Sequence, residues 1–256
     1  NVAVGFEAGK AVTTGVNNTL IGGHAGDALT TGDRSVAIGH DALSSEDTGT
    51  RNVAVGWGTL AALNVDGAGY NTAVGYSAGN GLTTGIKNTT TGGFAGASLT
   101  TGTENTAIGY FALATEDTGN YNVAIGKGAL ALLNFDGNAF NTAVGFNAGK
   151  VMTTGNQNTL IGGSAGDALT TGQRNTAVGY LALSTEDTHS YNTAIGTYSL
   201  LSLNAGADGY NTAVGYNTGT AMTTGIQNTI MGAMAGDALT TGSDNVALGY
   251  SALSAE

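Results

Sequence analysis

Three acid pairs are the first candidates for chemistry: Glu46-Asp47, Glu116-Asp117 and Glu186-Asp187. They recur at a constant spacing of 70 residues. Each is followed by an oxygen-rich loop: Asn64-Val65-Asp66-Gly67, Asn134-Phe135-Asp136-Gly137 and Asn204-Ala205-Gly206-Ala207-Asp208-Gly209. Oxygen-rich loops with glycine can hold calcium. The third loop breaks the spacing and no EF-hand-like ligand series is present, so solvated turns are the expectation, with no metal and no cofactor. Catalysis finds little else to use. The three histidines, His24, His40 and His189, fall at different repeat positions and are not expected to cluster, and the chain has no Cys. No Ser-His-Asp arrangement can be built from such a set, so no enzymatic activity is expected.

Two recurring surface features remain. Thr-Thr-Gly steps, such as Thr13-Thr14, Thr30-Thr31, Thr83-Thr84 and Thr100-Thr101, make a hydroxyl ladder that would suit ice. Glu-Asp-Thr interrupts it in every 70-residue block. Aromatic residues hold another repeated position: Phe6, Trp57, Tyr76, Tyr110, Phe146, Tyr180, Tyr216 and Tyr250. Their apolar faces can stack on sugar rings, or pack an edge between chains.

What positions these residues is a repeat. Asn71-Thr72-Ala73-Val74-Gly75 returns fifteen times in variant form, at units starting at residues 1, 18, 35, 52, 71, 88, 105, 122, 141, 158, 175, 192, 211, 228 and 245. Asn opens every unit except the one at Ser35, and Gly is fifth in all. Units are 17 residues long, every fourth one 19. The result is one array over 1–256, with super-repeats 1–70, 71–140 and 141–210 and a partial copy 211–256. Such a period is read before anything else because it decides the fold. The pattern opens and closes within the array, which suggests a segment of a longer protein.

Gly interrupts every few residues and nothing recurs at helical spacing. Thr72-Ala73-Val74 reads as one short strand and Leu82-Thr83-Thr84 as a second, with turns between. That describes an all-β parallel solenoid, or β-roll, of about fifteen 17–19-residue coils. A propeller with antiparallel pairing inside each block is the rival. Like residues then stack about 4.8 Å apart. Asn18, Asn52 and Asn71 belong to an amide ladder, and Gly5, Gly22, Gly39 and Gly75 to a column needing positive φ or close approach. The core is expected to be one Val or Ile, one Leu and several Ala per coil. Gly26 with Leu29, or Gly79 with Leu82, is exchanged for Leu43 with Glu46, suggesting that positions nine and twelve fill one slot. So thin a coil is marginal alone. Stacking, or association of chains along the Ala-Val stripe (Ala54-Val55, Ala73-Val74), would stabilise it.

Composition removes other classes. Net charge is −11 with seven Lys and Arg, so neither nucleic acid nor an anionic membrane surface fits. With 44 Gly, no Pro and 10% charged residues the chain is neither disordered nor collagenous. No apolar run is long enough to span a bilayer.

The motif N-[TV]-A-[VI]-G, as in Asn52-Val53-Ala54-Val55-Gly56 and Asn122-Val123-Ala124-Ile125-Gly126, resembles the head repeats of trimeric autotransporter adhesins. It is also similar to the N-T-A-[IV]-G-Y repeats of bacteriophage tail fibres. The resemblance covers all fifteen units. It implies a left-handed parallel β-roll, three chains side by side, and attachment to a surface, outside the cell or on a virion. The expected function is a structural and adhesive fibre segment that contacts glycan or a host receptor; ice binding through the Thr-Thr-Gly ladder is the alternative.

Overall fold

Each repeat contributes one strand of three residues, and the rest of the coil is turn. The computed structural model describes residues 1–254. Two structural units divide it. The first (Asn1–Lys127 with Asn134–Ala139) carries β1 (Val2–Val4), β2 (Thr19–Ile21), β3 (Val36–Ile38), β4 (Val53–Val55), β5 (Thr72–Val74), β6 (Thr89–Thr91), β7 (Thr106–Ile108) and β8 (Val123–Ile125). The second (Gly128–Leu133 and from Phe140 onward) carries β9 (Thr142–Val144), β10 (Thr159–Ile161), β11 (Thr176–Val178), β12 (Thr193–Ile195), β13 (Thr212–Val214), β14 (Thr229–Met231) and β15 (Val246–Leu248). Within each unit every strand pairs in parallel with the next, like position over like: Thr72 with Thr89, Ala73 with Thr90, Val74 with Thr91, and Thr159 with Thr176 in the second. The protein is therefore an all-β, parallel β-solenoid of fifteen turns, without helix among the described residues. Antiparallel propeller pairing is not seen in either unit.

The second expected strand does not form. Leu82-Thr83-Thr84 is a bend, although its amides still bond the next coil, with Thr83 N donating to Thr100 O at 2.8 Å. Inter-coil hydrogen bonds thus run round the coil as well as along the strands.

The core also differs from expectation. Strand side chains alternate faces, and it is the small central residue that points in. Ala37, Ala54, Ala73 and Ala107 are fully buried, while the Val and Ile beside them are half-buried or exposed, Val74 and Ile108 being 37% exposed. In four coils the inward central residue is larger, Leu20, Thr90, Leu160 and Ile230, and these too are buried.

The exchange that conserves volume lies elsewhere than between positions nine and twelve. Where the central strand residue is large, position nine is Gly: a Cβ on Gly9 or Gly26 would fall 2.6 Å or 2.8 Å from the methyls of Leu20. Gly149 and Gly166 make room for Leu160 in the same way. Where position nine is Leu, as at Leu43, Leu60 and Leu113, the strand centre shrinks to Ala37, Ala54 and Ala107, all fully buried. Position twelve is half-buried at Val12 and buried in every later coil from Leu29 to Leu239, so the acids at Glu46, Glu116 and Glu186 go inside with it.

Candidate functional site

Two columns hold the coils in register. Asn71 N donates to Asn52 Oδ1 at 3.1 Å, and Asn71 Nδ2 to Gly85 O at 3.0 Å. The same pair of bonds recurs at Asn18, whose N reaches Asn1 Oδ1 at 2.9 Å and whose Nδ2 reaches Gly32 O at 2.8 Å. At these positions each amide closes its own coil and receives the next, so a buried polar side chain is paired rather than stranded. Ser35 replaces one Asn and still accepts from Asn52 N, at 3.3 Å; Asn52 Nδ2 is left without a partner. The fifth-position glycines form the second column. Gly5, Gly22, Gly39 and Gly75 have φ between +132° and +137°, and a Cβ on Gly22 would lie 2.5 Å from Gly39 O. Both the dihedral and the approach exclude a side chain.

The Glu of each acid pair is not in a solvated turn, whereas Asp47, Asp117 and Asp187 stay partly exposed. Glu46, Glu116 and Glu186 are fully buried. Glu116 accepts from Gly119 N at 2.8 Å, Asp117 N at 3.1 Å and, in the following long loop, Phe135 N at 3.2 Å. Glu46 likewise accepts from Gly49 N at 2.7 Å and Val65 N at 3.3 Å. The carboxylate caps its own turn and anchors the two-residue insertion of the next coil. A Cβ at Gly49 would sit 2.5 Å from the Glu46 carboxylate, which explains the Gly three residues on. Burial raises Glu46 and Glu116 above the usual carboxylate range, partly offset by the N–H donors. The third copy differs: His189 replaces that Gly, and its Nδ1 lies 2.7 Å from Glu186 Oε1.

The rings are more continuous than a single repeat position suggests. Phe6, His24, His40, Trp57, Tyr76, Phe94 and Phe111 form one column in the first unit, with neighbouring centroids 5.0–6.5 Å apart. Tyr110 packs edge-on against Phe111 at 4.4 Å. So His24 and His40 are neighbours after all, at 5.7 Å. They meet because ring position six of one coil adjoins position seven of the next. The signal was legible: where position six is Gly, at Gly23 and Gly93, position seven is His24 or Phe94. In the second unit Tyr180, Tyr198 and Tyr216 repeat the arrangement at 5.7 Å and 6.3 Å. Phe146 and Tyr250 are exposed, at 55% and 75%. Trp57 and Tyr76 stack within 9° of parallel, so they turn faces to each other and edges outward. Contact with a sugar would use ring edges and Tyr hydroxyls there rather than an open face.

In the Thr-Thr-Gly steps the first hydroxyl bonds the next coil, while the second Thr, as at Thr14, Thr31, Thr84 and Thr101, stays exposed. Thr13 Oγ1 donates to Thr30 O at 3.2 Å and Thr30 Oγ1 to Asp47 O at 3.0 Å; Thr83 and Thr100 repeat this onto Asp117. Two coils of Thr end on an Asp carbonyl each time.

A feature the sequence analysis divided wrongly is the outward strand face. Every outward strand residue is Val, Ile or Thr except Met231 and Leu248, and none is charged. None of them is fully buried. Such side chains are stiff at χ1, so each unit presents a rigid, uncharged, lightly ridged surface. Among the described residues no helix is long and apolar enough to cross a membrane. Searches against protein-family models, curated proteins and solved structures find no match to this chain.

Proposed function

We propose that this chain is a structural and adhesive segment of an extracellular or virion surface fibre. Copies lie side by side as a homotrimer along the outward strand face, and the ring columns meet surface carbohydrate or a host receptor. No catalytic role is assigned. One observation carries most weight: the interior is already filled by the chain's own Leu and Ala, yet an uncharged face, Val, Ile and Thr but for Met231 and Leu248, stays half-buried or exposed in each unit. Contiguous apolar surface of that kind marks association.

Light scattering on the native protein tests the seam. One chain is 25.2 kDa, and the expected particle has three times that mass. Ile38→Lys with Val74→Lys places two charges on the outward face without touching the core. That variant is expected to be monomeric with unchanged β signal; a monomeric wild type would refute the seam. Glycan arrays and cell binding then separate an adhesin from a spacer.

Ice is a second candidate ligand, favoured by a specific observation. Thr142, Thr159, Thr176, Thr193, Thr212 and Thr229 stand on successive strands of the second unit, and this outward column is not interrupted as the Thr-Thr-Gly ladder is. Thermal hysteresis from monomeric protein would move the assignment to ice.

A further inference from the structure

Glu7, His24 and Asp27 converge on the first two coils. His24 Nδ1 lies 3.5 Å from Glu7 Oε2 and 3.4 Å from Asp27 Oδ2. Those separations are too long for charge-assisted hydrogen bonds, which run at about 2.7–2.9 Å. These two distances match edges of a tetrahedral zinc site, where bonds of about 2.0–2.2 Å place adjacent ligand atoms about 3.3–3.6 Å apart. All three ligand atoms fall within 4.8 Å of one another. The other two histidines behave differently: His40 Nδ1 approaches Asp41 Oδ2 to 2.9 Å and His189 Nδ1 approaches Glu186 Oε1 to 2.7 Å, both direct ion-pair distances.

The surroundings support the ligand set. Lys10 Nζ holds Glu7 Oε1 at 2.9 Å, which fixes the carboxylate and leaves Oε2 for the site. Phe6 and His40 pack edge-on against the imidazole at 5.3 Å and 5.7 Å. Outer contacts of this kind orient metal ligands. Asp27 presents Oδ2 to His24, and its other oxygen, Oδ1, is buried with no hydrogen-bond partner. Asp237 has the same orphan oxygen, but Met234 stands where the imidazole would be. The side chains are only 27–34% exposed.

The geometry points to a site for one divalent transition-metal ion, of the zinc class, bound by Glu7, His24 and Asp27 and completed by water. An imidazole with two carboxylates suits zinc better than calcium, which prefers oxygen ligands alone. The ion would clip the first coil to the second. The other super-repeats lack the set: Glu7 becomes Ser77, Asn147 and Asn217, and His24 becomes Phe94, Ser164 and Met234. The stoichiometry is therefore one ion per chain.

The test is isothermal titration of ZnCl2 into the full chain in a non-chelating buffer. One Zn2+ per chain is expected. His24→Phe, which installs the residue found at the same position of the next super-repeat and keeps the ring column, is expected to weaken binding at least tenfold. Asp27→Asn is expected to do likewise, whereas His189→Gly, which installs the residue found at the same position in the first two super-repeats, leaves the titration unchanged. Absence of saturable binding, or the same binding in His24→Phe as in wild type, would overturn the site.

Discussion

Gly75→Ala is expected to abolish or nearly abolish stable folding of the first unit, costing at least about 4 kcal/mol. Two penalties act together. Gly75 has φ +132°, a region L side chains rarely enter, and the new methyl would lie 2.8 Å from the carbonyl carbon and oxygen of Gly92. The obstacle is backbone of the next coil, itself tied to its neighbours, so relief requires opening the stack. Gly67→Ala separates the two terms. Gly67 has φ +92° with nothing within 4 Å of a Cβ, so it meets the dihedral penalty alone, about 1–3 kcal/mol. Chemical denaturation of both variants reads the difference. Equal costs would mean that close approach between coils contributes nothing.

Glu116→Ala is expected to cost about 4 kcal/mol, because three N–H donors, a buried one on Gly119 and part-buried ones on Asp117 and Phe135, lose their acceptor at once. A pH dependence accompanies it. Burial raises the folded carboxyl above the ordinary glutamate value of 4.5. The folded state then holds a proton that the unfolded chain has released. This contribution to stability is fully present below the unfolded value and is lost as pH rises through the folded one. Glu116→Gln cannot titrate. The wild-type advantage over it is expected to shrink from about pH 4.5 upward, read as the difference between their melting midpoints across that range. A difference that stays constant, or grows, would contradict a raised carboxyl.

How much of this was legible follows from what each residue does. Asn and Gly are constant because each serves the backbone identically in every coil, so type and spacing alone revealed the columns at Asn71 and Gly75. Parallel stacking followed from them. The inside of the strand was misread because bulk was taken for burial: Val74 is larger than Ala73, but strand side chains alternate and it is the central one that faces in. The acids were misread for a related reason. Glu46 shares position twelve with the buried Leu29 and Leu82, and that column outweighs its charge once Gly49 and Val65 supply N–H donors. The ring column was half visible, since position six was followed and position seven was not. The three-residue ligand set at Glu7, His24 and Asp27 had no sequence signature, because it depends on one coil standing over another.

That stacking is measured most directly by distances between spin labels on cysteines placed at exposed turn threonines of the first unit, in a chain with no native Cys. Thr14 with Thr84 and Thr31 with Thr101 are each four coils apart, and Thr14 with Thr101 is five. Labelled protein diluted into unlabelled chains is expected to give about 19 Å for both four-coil pairs and about 24 Å for the five-coil pair, one strand spacing more. Unequal four-coil distances, or a five-coil pair no longer than they are, would contradict a column of like residues.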